Sequence, residues 1–178
     1  KIDFVTFSST GNASDFGDLT VARGQAAATG SQTRGIFGGG EPGPSITDTI
    51  DYVTIAATGN AVDFGNLTGN RRIASAASSP TRSLFAAGIT PSATNIIDFV
   101  TTSTLGNAQD FGDVSVARYS AGAVSSKIRA AIMGGYAAPA NVNTIEFVTI
   151  ATKGNTQNFG DLTEVISNAQ HVYFTISI

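Results

Sequence analysis

An all-β fold is predicted, with four repeated units set around an axis as the blades of a β-propeller. Three observations predict it. One phrase occurs four times in a single frame, each unit of about 48 residues holds four short strand candidates, and no stretch carries a long helical period. The phrase is Ile2-Asp3-Phe4-Val5-Thr6, repeated from Ile50, Ile97 and Ile145 at spacings of 48, 47 and 48 residues. A second phrase keeps the same phase. It reads Gly11-Asn12 followed by Asp15-Phe16-Gly17-Asp18-Leu19-Thr20, with copies beginning at Gly59, Gly106 and Gly154. Two arginine series run with it, Arg23, Arg71 and Arg118, and Arg34, Arg82 and Arg129. Taking the first phrase as the start of each unit divides the single domain into 2–49, 50–96, 97–144 and 145–178.

Within a unit, Gln25 to Thr29 is a short strand of small residues, closed by the turn Gly30-Ser31-Gln32. Thr33 to Phe37 is a second strand, stopped by Gly38-Gly39-Gly40. A loop holding Pro42, Gly43 and Pro44 leads to Thr49–Ile55, rich in β-branched and aromatic residues and the strongest strand of the unit. Its apolar residues fall on both faces, Ile50 and Tyr52 on one, Val53 and Ile55 on the other, which predicts a strand covered on both sides. Gly59-Asn60 makes a turn, and Ala61 to Phe64 with Leu67 supplies a weaker fourth strand. Four short antiparallel strands in 40–50 residues is the arithmetic of a propeller blade.

The order of these features resembles a kelch blade: a strand ending in glycines, a loop, a strand with an aromatic residue, and a last strand before an arginine. The glycine run is Gly38-Gly39-Gly40 and Gly134-Gly135, with Ala86-Ala87-Gly88 between them; the aromatic residue is Phe4, Tyr52, Phe99 or Phe147. The kelch tryptophan is missing, and the phenylalanine of Asp-Phe-Gly stands later in the unit. The phrasing is also similar to repeat proteins encoded by marine bacteriophages and their hosts, and that resemblance implies a structural part of a virus particle.

The chain opens at a third strand, and Ser167 to Ile178, with Val172, Phe174, Ile176 and Ile178 alternating, can supply a first and second strand. This predicts a four-bladed ring closed by pairing of the N- and C-terminal strands, leaving no open sheet edge. Deleting Val172 to Ile178 is then expected to unfold the protein or cause aggregation. The competing arrangement is a larger ring completed by another copy.

Composition narrows the function. Ten Lys and Arg against 13 Asp and Glu leave a net charge of −3, which disfavours nucleic acid as a partner. There is no Cys and a single His, His171, so neither a thiolate nor a multi-histidine metal site is available. No apolar run reaches the length of a membrane span, and membrane insertion is not expected.

Asp-Phe-Gly lacks the other kinase motifs and is read as a turn, with Asp capping, Phe16, Phe64, Phe111 and Phe159 packing between blades and Gly at positive φ. The glycine cluster lacks a Gly-Lys-Ser/Thr ending and is no phosphate loop. Asp3, Asp51, Asp98 and Glu146 hold one offset and are expected to be neutralised by Arg23, Arg71 and Arg118; the sharper alternative is a cation held on the axis by convergent oxygens. Asn12, Asp15 and Asp18 match no EF-hand spacing. Two glycosylation sequons, at Asn12 and Asn66, are expected by accident in so Asn-, Ser- and Thr-rich a chain.

No nucleophile–base pair or cofactor phrase stands out, so no cofactor and no enzymatic activity are expected. The expected function is a structural or adhesion module of a virion, as in a tail, fibre or surface decoration. Its partners would be other virion proteins, a host-surface receptor or a glycan, with homo-oligomerisation possible in principle. The alternative is a cellular or secreted propeller that binds a glycan or protein through its loops. Glu41 to Asp48, Ile89 to Asn95 and Tyr136 to Asn143 diverge while the strands hold, which marks them as the candidate binding loops.

Overall fold

The computed structural model describes residues 1–167. Every regular element in it is a strand, and three four-stranded antiparallel sheets dominate. A two-stranded hairpin comes first, β1 (Ile2–Phe4) with β2 (Ser14–Gly17). Sheet I runs β3 (Ala27–Gly30), β4 (Arg34–Gly38), β5 (Thr49–Thr54) and β6 (Val62–Asn66), in that spatial order. Sheet II holds β7 (Ser75–Ser78), β8 (Arg82–Ala86), β11 (Ile96–Thr101) and β12 (Gln109–Asp113). Its loop carries a miniature hairpin, β9 (Ile89–Thr90) and β10 (Ser92–Ala93). Sheet III holds β13 (Gly122–Ser125), β14 (Arg129–Met133), β17 (Thr144–Thr149) and β18 (Gln157–Asp161), with β15 (Tyr136–Ala137) and β16 (Ala140–Asn141) in the matching loop.

The four antiparallel strands expected are present in each of the three large sheets, and each sheet spans two of the sequence-phrase units, as the opening at a third strand implies. A sheet takes its first two strands from the end of one unit and its last two from the start of the next. The proposed pairing of residues 172–178 with the opening strands lies outside the described residues.

Small residues line the strands at which neighbouring sheets meet. β7 runs beside both β3 and β13, so side chains there must be short. Ala27, Ala76, Ala77 and Ala123 are buried. Hydroxyls bridge the gaps: Ser75 Oγ donates to the Ala121 carbonyl at 2.7 Å, and Ser78 Oγ to the Gly30 carbonyl at 2.6 Å. Between sheets I and II the large groups interlock. Phe85 is fully buried, and its ring comes so close to Gly38 that a Cβ there would lie 2.7 Å from the ring. Each such buried aromatic or aliphatic side chain contributes roughly 1.5–3 kcal/mol. The two-sided burial expected of β5 holds for Ile50 and Val53, while Ile55, just beyond the strand, is half exposed.

Asp-Phe-Gly proves to be a bulge. Ile97 pairs with Gly112 and Asp98 with Asp110, which leaves Phe111 as the extra residue; the same register shift recurs in the hairpin and in sheets I and III. The glycine after each of these phenylalanines has positive φ, from 143° to 151°. The phenylalanine first packs within its own sheet, edge-on to the aromatic of the neighbouring strand. The ring centroids are 5.9 Å apart for Phe4–Phe16, Tyr52–Phe64 and Phe99–Phe111, and 6.0 Å for Phe147–Phe159. Phe16, Phe64 and Phe111 then also pack against the following sheet, as expected. Phe159 is the exception, 63 % exposed.

Candidate binding surface and the charged seams

The repeated acids and arginines meet in pairs. Arg23 contacts Asp51 at 2.7 Å, Arg71 contacts Asp98 at 2.9 Å, and Arg118 contacts Glu146 at 2.7 Å, all with side chains almost wholly buried. Each carboxylate has a second partner from the Asp-Phe-Gly phrase. Thr20 Oγ1 donates to Asp51 at 2.6 Å, Thr68 Oγ1 to Asp98 at 2.7 Å, and the Ser115 N–H to Glu146 at 3.2 Å. Burial pulls the Arg71 and Arg118 guanidinium groups below their ordinary value, and the Asp98 and Glu146 charges oppose that pull. The Nε atoms of Arg71 and Arg118 have no hydrogen-bond partner among the described residues, whereas Arg23 Nε donates to the Gly39 carbonyl at 2.7 Å.

These carboxylates do not converge. Each is taken up at its own seam, and among the described residues no group of three or more His, Asp or Glu side chains is placed to hold a metal ion. Asp3, the first of the series, is exposed and meets no arginine of the Arg23 series. The expected pairing of these acids with arginine holds for Asp51, Asp98 and Glu146, and the alternative, carboxylates converging on an axial cation, does not appear among the described residues.

The second arginine series also bridges sheets. Arg34 lies over the Tyr52 ring at 4.6 Å and donates to the Thr102 carbonyl of sheet II at 2.9 Å; Arg82 lies over Phe99 at 4.7 Å and donates to the Ile150 carbonyl at 2.9 Å. Arg129 lies over Phe147 at 4.6 Å.

The candidate binding loops leave equivalent places in successive sheets, each between the second and third strands. Their first residues are tied down by matching bridges, Glu41 to Gly24, Ile89 to Arg72 and Tyr136 to Tyr119. Their last residues act as anchors. The carbonyls of Asp48, Asn95 and Asn143 accept from the N–H groups of Leu67, Val114 and Leu162. Asp48, Asn95 and Asn143 thus belong to the scaffold, and the divergent surface lies between the anchors. That surface includes the exposed turn Gly43-Pro44-Ser45, the Pro91-Ser92 tip, and Ala138-Pro139, joined by a cis peptide bond.

Beside the loops runs a strip that sequence reasoning missed. Gln25, Ile73 and Ser120 hold left-handed φ values of 58°, 54° and 56°, a conformation costly for β-branched Ile73. They form a ladder: the Ile73 N–H donates to the Gln25 carbonyl at 3.1 Å and the Ser120 N–H to the Ile73 carbonyl at 3.3 Å. Arg72 connects the strip to the first loop, donating to Gln25 Oε1 at 2.6 Å with Glu41 at 3.6 Å, and the tilted rings of Tyr119 and Tyr136 have centroids 5.4 Å apart. The available signal was positional. These residues stand two places after each arginine of the Arg23 series and vary in identity while that arginine does not.

Among the described residues no helix is long and apolar enough to cross a membrane. Comparison with protein-family models and with curated proteins gives no match.

Proposed function

We propose that the sheets are blades of a kelch-like β-propeller and that the chain is a non-catalytic structural or adhesion module of a virus particle. In this reading β1–β2 is the outer half of a fourth blade, completed by strands from the region after residue 167. The module would act at the virion surface or outside a cell. It would contact other virion proteins, a host receptor or a glycan through the ends of its blades.

The observation that carries the proposal is the division of labour in each sheet. Buried charges lie at the seams between sheets, while the loops at one end differ in sequence over backbone hydrogen bonds that recur in each sheet. Variable loops on a fixed frame are where recognition is normally placed. The resemblance to phage-encoded repeats supplies the virion setting. Labelled antibody against the chain should decorate purified particles of its source; absence from every particle fraction would overturn the virion reading. The second reading, a cellular or secreted binding propeller, is favoured by the tilted Tyr119–Tyr136 pair at the third loop and by the Arg72–Glu41 pair at the first, which offer an aromatic surface and charged hydrogen-bonding groups. A glycan array separates the two, since a lectin binds a sugar with the loops intact and loses it on Tyr136→Ala.

A further inference from the structure

We infer that the open face of β18 is a docking site for the β1–β2 hairpin of a second copy of this chain. The inference rests on the blade reading, though not on the virion role. The argument comes from what covers the same face elsewhere in the molecule. At the seam between sheets II and III, the Phe111 carbonyl accepts from Gly154 N–H at 2.8 Å, the Asp113 carbonyl from Thr156 N–H at 2.9 Å, and Asp113 N–H donates to Asn155 Oδ1 at 3.0 Å. At the seam between sheets I and II the corresponding distances are 2.9, 2.7 and 3.1 Å, and between the hairpin and sheet I they are 2.7, 2.8 and 3.0 Å. Three seams repeat one lock.

Each end of the described array carries half of a fourth. On β18 the Phe159 carbonyl, the Asp161 carbonyl and the Asp161 N–H stand at the positions of Phe111 and Asp113. On the hairpin, Gly11, Asn12 and Ala13 stand at the positions of Gly154, Asn155 and Thr156. The apolar halves match as well. Phe159 is 63 % exposed where Phe111 is 2 % exposed, and Val5 is 52 % exposed where Val148 is 3 % exposed. A Cβ on Gly112 would lie 2.4 Å from the Gly154 carbonyl oxygen, while a Cβ on Gly160 meets nothing within 4 Å among the described residues, so the seat on Gly160 has no occupant among them.

A second copy fits better than the chain's own hairpin. That hairpin is already locked onto sheet I through Phe16 and Asp18, and the two ends of the described residues do not meet. Because the chain's own hairpin does not reach β18 among the described residues, the seat is left to a second copy, whose Gly11, Asn12 and Ala13 take no part in its bonds to sheet I. The contact joins two different surfaces, so association runs head to tail, closing into a ring or continuing. It is also the weakest of the seams. Ile166 occupies the place of Arg23, Arg71 and Arg118, so Asp3 would meet Thr163 without a guanidinium.

The chain has no cysteine, which makes cross-linking clean. Full-length chains carrying Asn12→Cys alone are mixed with chains carrying Asp161→Cys alone and treated with a short bis-maleimide. A covalent pair of twice the chain mass is expected, together with a dimer or larger species in sedimentation equilibrium. Phe159→Glu should weaken association at least about tenfold, as expected for a central interface anchor, with the far-ultraviolet strand signal unchanged. A single-chain mass at all concentrations would overturn the inference. So would a chain carrying both cysteines that links only to itself. Asn66→Cys with Asn107→Cys, across an internal seam, is the control. If it fails to link within one chain, the blade reading falls; if it links while residues 12 and 161 do not, only the docking inference falls.

Discussion

The seam between sheets II and III and the free face of β18 are written in the same phrases, yet they meet different fates. Phe111 and Phe159 occupy the same bulge and pack edge-on against the same kind of aromatic partner at 5.9 and 6.0 Å, but one is buried and the other is mostly in solvent. Asp98 and Asp3 share one offset, but one holds a buried arginine and the other is exposed. A repeat phrase therefore specifies half of an interface. Its energetic weight depends on whether a neighbour supplies the other half, which is how stacked repeats distribute stability between units and contacts.

Substitutions at matched positions break the comparison most strongly where the buried member carries a charge. Asp98→Ala leaves Arg71 buried without its carboxylate and is expected to cost about 3–5 kcal/mol in denaturant unfolding. Asp3→Ala should stay within about 0.5 kcal/mol of wild type. Close behind, Phe111→Ala should cost about 3–5 kcal/mol, against less than about 1 kcal/mol for Phe159→Ala in solution too dilute for association. Equal losses at the two phenylalanines would mean that the β18 face is covered in the isolated chain.

Smaller terms sharpen the same contrast. Asn107→Ala removes the side-chain acceptor for Asn66 N–H and should cost about 1 kcal/mol, whereas Asn12→Ala should leave the dilute melting curve unmoved. The least effect is expected inside sheet II. Ala87 holds φ 60° where the neighbouring sheets have Gly39 at 67° and Gly134 at 62°. Ala87→Gly should therefore raise stability by up to about 1 kcal/mol, as the relief of left-handed strain outweighs the added freedom of the unfolded chain.

Much of the strand plan could be read directly. The β-branched run at Thr49–Thr54 and the glycine stop after Phe37 have local causes, and strands appear there. The seam residues were legible as a class, since recurring Asp, Arg, Phe and Gly in one phase point to contacts made once per unit. That the acids would meet the Arg23 series was legible too, but which member meets which was not. Arg23 pairs with Asp51, 28 residues ahead, and Arg34 reaches Thr102, 68 residues ahead, distances that no local preference encodes. The strip of Gln25, Ile73 and Ser120 escaped notice for a related reason. Its left-handed backbone is imposed by the ladder between sheets, not by side chains that favour it.

Read without coordinates, the chain determines that it is all-β, that its units recur every 47 or 48 residues, and which side chains serve the repeat, because strand preference and periodicity are local properties. Tertiary structure alone decides which acid meets which guanidinium group across a seam, that Gln25, Ile73 and Ser120 take a left-handed backbone, and that two matching half-locks stay apart among the described residues. Those outcomes depend on which surfaces approach within hydrogen-bonding distance, and that depends on how the sheets stack in space.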